Sequence, residues 1–129
     1  MDFLLDTSAY VHLTKGDDKL LKILSKASIV YVCPTVIGEL HYAFLNSSKY
    51  SENLKMFEEF CSEPKVHVVN TSPSTAKIFG ELKYDQSKKG KTVAINDLWI
   101  AAEAKNLNAR LVTYDTDFLL IANLDLIVL

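Results

Sequence analysis

The chain has 129 residues, 49% of them hydrophobic and 23% charged, with a formal net charge of −2. That length suits one domain with a real core, and the composition is that of an ordinary soluble globular protein. The slight acidity excludes a broad basic surface that coats nucleic acid, and no apolar run approaches the roughly 20 residues of a membrane span.

Asp2 places an acid directly before a strand pattern, so no signal peptide is expected. Residues 3–5 read as a buried strand that delivers Asp6 as it leaves the core. Ala9 to Leu13 read as a helix stopped by Gly16, and Leu20, Leu21, Ile23 and Leu24 mark a second. After a strand at residues 29–32, Val36, Leu40 and Phe44 form an apolar stripe on a third helix. Leu54, Phe57 and Phe60 do the same on a fourth.

Residues 66–69 give a third strand, and Ile78, Phe79 and Leu82 mark a fifth helix. The run SKKGKT, residues 87–92, reads as a loop. A sixth helix is expected from about Asn96 to Lys105, then strands at residues 111–113 and 126–128. Strands alternating with helices predict an α/β fold with a mostly parallel sheet covered on both faces. There are no repeats, low-complexity tracts or linker-like stretches, so residues 1–129 are read as a single domain. Cys33 and Cys61 lack any metal-ligand or redox spacing and are taken as plain thiols of a reducing cytosol.

In a parallel sheet the functional crevice lies beyond the carboxyl ends of the strands. Asp6 is expected there, and RLVTYDTDF delivers Asp115 and Asp117 to the same edge. Glu39 borders the apolar stripe of the third helix, and INDLWIAAEA puts Asp97 in the first turn of the sixth. Each has an ordinary reading. Asp6, Thr7 or Ser8 would cap a helix, as would Asn96 ahead of Asp97, and Asp115 and Asp117 suit a turn. Glu39 would pair with a lysine. Together, acids aimed into one crevice repel one another unless a divalent cation compensates them. Oxygen ligands favour hard ions, so Mg²⁺ or Mn²⁺ is expected, and a water activated by such a metal fits phosphodiester hydrolysis.

With LLDTSAY, PTVIGEL, INDLWIAAEA and LVTYDTDF in this order, the chain resembles the PIN-domain ribonucleases, especially the VapC-type toxins of toxin–antitoxin systems. The resemblance implies a three-layer α/β/α sandwich and metal-dependent endonucleolytic cleavage of RNA. It assigns Asp6, Glu39, Asp97 and Asp115 as catalytic metal-binding acids, and Asp117 falls where members often carry a further acid, which would add a metal ligand. Thr7 and Thr113 match small hydroxyl residues that bond to ligands or to the bound water. It also implies a homodimer silenced by a small antitoxin protein, with Tyr10, Leu13, Tyr42 and Phe44 as interface candidates or plain core.

Lys88, Lys89 and Lys91 are placed to meet RNA phosphates, or else simply solvate a loop. A P-loop is rejected, because no glycine stands five residues before Gly90. His12, His41 and His67 show no ligand spacing, and Trp99 reads as core rather than a stacking platform. Competing functions are a non-catalytic PIN-like module that binds RNA or protein, and a receiver-type signalling domain. The receiver should carry an acid pair after the first strand and an Asp after the third, where Asn70 and Thr71 stand. An aspartyl-phosphate phosphatase would need an acid at Ser8.

Overall fold

A computed structural model describes residues 1–129. Five strands, β1 (Asp2–Leu5), β2 (Ile29–Val32), β3 (Val66–Val68), β4 (Arg110–Thr113) and β5 (Leu126–Val128), form one sheet in the order β3-β2-β1-β4-β5. All four pairings are parallel, with Leu4 opposite Tyr31 on one side and Leu111 on the other. Six helices connect them: α1 (Thr7–Thr14), α2 (Asp18–Ser25), α3 (Pro34–Leu45), α4 (Tyr50–Cys61), α5 (Pro73–Lys88) and α6 (Ile95–Leu107). A 3₁₀ segment, Thr116–Leu120, follows β4.

The central strands are buried on both faces, so they read as unbroken apolar runs: Phe3, Leu4 and Leu5, then Leu111 and Val112, are all buried. Full burial of each such side chain contributes about 1.5–3 kcal/mol. Right-handed crossovers put α1 to α4 over one face, on the way from β1 to β3. They put α5 and α6 over the other, because the chain then turns back to β4. Helix α3 begins with Pro34, whose fixed φ suits a first turn, and buries the expected stripe Val36, Leu40 and Phe44. The expected interface residues divide: Tyr10 and Phe44 are core, Leu13 is half-buried, and only Tyr42 stands in solvent.

Helix boundaries correct two expectations. Ser87 and Lys88 complete the last turn of α5, and Gly90, at φ 65°, takes the left-handed conformation that lets the chain leave it. Asn96 is no cap: α6 starts at Ile95 after Ala94, which makes no capping bond. No helix is long and apolar enough to cross a membrane. Both cysteines are free. Burial pushes the Cys33 thiol up to about 11, which makes it inert.

The chain runs outward from β1 through β2 to β3, then restarts at β4 on the far side of β1. The strand order therefore reverses between β1 and β4. Loops after two such strands diverge and open a crevice at their carboxyl ends. Asp6 leaves β1 and Asp115 leaves β4 at that point.

Candidate metal centre

Asp6 is 4% exposed and its carboxylate is fully engaged. Its Oδ1 accepts from the Ala9 amide at 2.8 Å, which makes it the N-cap of α1, and its Oδ2 accepts from the Thr113 hydroxyl. The Ser8 hydroxyl donates to the same carboxylate, 2.8 and 3.0 Å from its two oxygens. Ser8 Oγ also accepts from the Tyr114 amide at 3.0 Å and lies 3.3 Å from Thr113 Oγ1. Two hydroxyls thus stitch the end of β1 to the end of β4. Burial holds the Asp6 carboxyl above its ordinary value, with Asp115 adding to the rise, while the Thr113, Ala9 and Ser8 bonds pull it back.

Thr113 Oγ1 accepts from the Asp115 amide at 2.9 Å, and Asp115 Oδ1 in turn accepts from the Asp117 amide at 2.9 Å. That bond caps the 3₁₀ segment and fixes Asp117 beside Asp115. Asp97, in the first turn of α6, faces both: Asp97, Asp115 and Asp117 each offer an oxygen within 4.8 Å of the others. Glu39 enters from α3. Its Oε1 accepts from the Thr7 hydroxyl at 2.6 Å and its Oε2 from the Asn96 amide at 3.3 Å.

The electrostatics record this convergence. Asp97 is pushed up to about 6, first by burial and then by the charges of Asp115, Glu39, Asp6 and Asp117. No cation of the chain relieves them, since its two ion pairs, Lys89–Asp85 and Arg110–Asp125, lie elsewhere. The acids offer carboxylate oxygens with no sulfur or imidazole nitrogen among them, which fits a hard divalent ion and disfavours a soft one. The residues present therefore suit Mg²⁺ or Mn²⁺, whose charge would offset what the fold leaves uncompensated.

Of the five expected acids, Asp97, Asp115 and Asp117 lie within reach of one ion, and Asp6 and Glu39 are near enough to raise the Asp97 carboxyl. The mutually close trio includes Asp117, whereas Asp6 and Glu39 flank it, each already hydrogen-bonded within the chain. Glu39 pairs with a threonine and an asparagine rather than a lysine. Thr7 serves Glu39 and not the helix cap, which belongs to Asp6. Sequence reasoning missed Ser8 and Asn96 as site neighbours. Their only signal was adjacency, within two residues, to an acid already singled out.

None of the three lysines forms an ion pair with this trio. Lys88 holds its amine 5.3 Å from the Tyr84 ring centroid, Lys89 pairs with Asp85 at 3.0 Å, and Lys91 reaches the Leu120 carbonyl at 3.4 Å. The histidines are engaged in packing: His12 stacks on Tyr114, while His41 and His67 sit edge-on to Tyr50 and Tyr31. Trp99 stacks on Phe79 with centroids 3.9 Å apart.

Residues 3–124 match the PIN domain family model. The chain belongs to the PIN-domain family, alongside its VapC members. It is 31% identical to ribonuclease VapC2 of Rickettsia felis over 88% of this chain and 86% of that protein. It is 30% identical to ribonuclease VapC2 of Haemophilus influenzae over 82% of this chain and 80% of the relative. Among solved structures, VapBC2 of R. felis, bound to a fragment of promoter DNA, superposes with a TM-score of 0.88 at 30% identity, covering 100% of this chain and 99% of that one. VapBC-1 of nontypeable H. influenzae shares the fold at a TM-score of 0.89 and 24% identity, covering 99% and 98% of the two chains.

Proposed function

We propose that this chain is a divalent-metal-dependent endoribonuclease that hydrolyses RNA phosphodiester bonds, and that it is the toxin of a toxin–antitoxin pair. One observation carries the reading: carboxylates from β1, α3, α6 and the β4 exit meet at the sheet's switch point with no cation of the chain to balance them. Relatives named as ribonucleases support the activity, and structural neighbours solved as VapBC toxin–antitoxin complexes support a small antitoxin partner.

In this reading Asp97, Asp115 and Asp117 hold the ion, with Asp6 and Glu39 completing the negative wall around it. A bound Mg²⁺ or Mn²⁺ supplies water activation and neutralises charge building on the phosphate. The remaining chemistry is positional. Thr113 and Ser8 fix the Asp6 carboxylate, and Thr7 and Asn96 hold Glu39 in one rotamer. Lys88 and Lys91 add positive charge for neighbouring phosphates, whereas Lys89 shares its charge with Asp85.

The test is cleavage of single-stranded RNA by the purified chain in Mg²⁺ or Mn²⁺ against EDTA. Cleavage should require the metal, and Asp97→Asn should lower it by more than about a hundred-fold while the circular dichroism spectrum is unchanged. Full cleavage in EDTA, or by the Asp97→Asn chain, contradicts the reading.

A further inference from the structure

We propose that the open cleft along α3, between Tyr42 and Asn96, is a subsite for one unpaired nucleobase of the RNA, stacked on the Tyr42 ring beside the phosphate that is cut. The inference rests on the ribonuclease reading above.

Thr35, Gly38, Glu39 and Tyr42 fall at i, i+3, i+4 and i+7 of α3, so they share one face. The core takes Val36, Leu40 and Phe44 instead. With Asn96 facing it, the stripe lines a cleft of about 570 Å³ in which Tyr42 is the one hydrophobic residue. Tyr42 is 70% exposed, the highest value of any large hydrophobic residue in the chain. Of six tyrosines, it alone has neither an aromatic nor a cationic neighbour against its ring.

Gly38 keeps the floor clear. A Cβ there would meet nothing within 4 Å and φ is not positive, so packing does not demand glycine, which weakens a helix interior. The Asn96 Nδ2 is committed to Glu39, which leaves Oδ1 without a partner in the chain and free to accept from a base edge; the Thr35 hydroxyl is likewise unpartnered. Glu39 borders both the cleft and the metal centre, so a base in the cleft belongs to a nucleotide next to the reacting phosphate. Single-stranded RNA is commonly held this way, by a splayed base on an aromatic face with its edge hydrogen-bonded.

The experiment follows steady-state cleavage of a short single-stranded RNA in Mn²⁺, with sedimentation velocity on every variant. Tyr42→Ala should raise KM about ten-fold, and Tyr42→Trp should restore it. Gly38→Leu, which favours the helix but fills the cleft, should weaken RNA binding without lowering Tm. With the Asp97→Asn background, which leaves the strand uncut, a 2-aminopurine base in the RNA should be quenched on binding, and Tyr42→Ala should abolish the quench. An unchanged KM and quench in Tyr42→Ala overturns the subsite while leaving the ribonuclease reading intact. A weakened KM accompanied by dissociation of a dimer also overturns it, and makes Tyr42 a contact between copies. A wild-type chain that cuts no RNA removes both proposals.

Discussion

Asp6 occupies two positions that the sequence posed as alternatives. The same carboxylate that caps α1 also stands at the switch point, because the first strand ends where the helix begins and both orphan amides and crevice lie there. Asp97 carries the larger electrostatic strain, and its stability signature follows from the sign of the shift. In the metal-free chain its carboxyl rises from an ordinary 3.8 to about 6. Between those values the folded state keeps a proton that the unfolded state has released, so stability falls as pH rises through the window and stays lower above it. With screening of a half-buried group allowed for, the effect is on the order of 1 kcal/mol. In EDTA, Asp97→Asn should therefore raise Tm by about 2–5 °C at pH 7.5 and change it little near pH 4. A calorimetric scan showing a lower Tm at pH 7.5, or equal shifts at both pH values, contradicts this. The acids were legible as residues, since each interrupts an apolar pattern. Ser8 and Asn96 were not, because a hydroxyl or amide beside an acid at a helix start looks the same whether it caps or reaches across the fold.

At the scale of elements, α6 matters most, since it carries Asp97 and lacks a side-chain N-cap. What anchors it is internal. Ile100, Ala101, Ala102 and Ala104 are all buried, small enough in three cases for close approach to the sheet. Glu103, 2% exposed, accepts from Thr75 at 2.7 Å and from Thr71 at 3.2 Å, tying the helix to the start of α5. Asn108 ends the helix in the left-handed conformation, at φ 56°. Thr75→Val keeps the volume and removes a donor from a buried carboxyl, so it should cost about 2 kcal/mol in urea unfolding. Thr75→Ser should cost less, because it keeps the donor, and a loss below about 0.5 kcal/mol for the valine variant would refute the anchor. Here the sequence was half legible. The near-continuous apolar run around Glu103 signals a helix buried on most sides, but nothing local reveals that its acid meets two threonines 28 and 32 residues away.

For the whole molecule, alternating strand and helix patterns were enough to expect a parallel α/β sheet, and every expected strand exists within a residue at each end. The strand order was not legible. Pairing partners of equally apolar strands are chosen by packing over long separations, and a short β-branched run carries no label for its neighbour. Yet that order, β3-β2-β1-β4-β5, brings positions 6, 39, 97, 115 and 117 together. The emphasis on Asp117 over Asp6 within the cluster likewise depends on the 3₁₀ segment and on bonds that already occupy Asp6. Calorimetric titration of the metal-free chain with Mn²⁺ tests that convergence. The wild-type chain should bind Mn²⁺ and Asp97→Asn should bind at least about a hundred-fold more weakly, while Asp85→Asn, remote on α5, should match the wild type. No binding to the wild-type chain, or equal affinity after Asp97→Asn, would contradict a shared metal centre at the β1–β4 switch point.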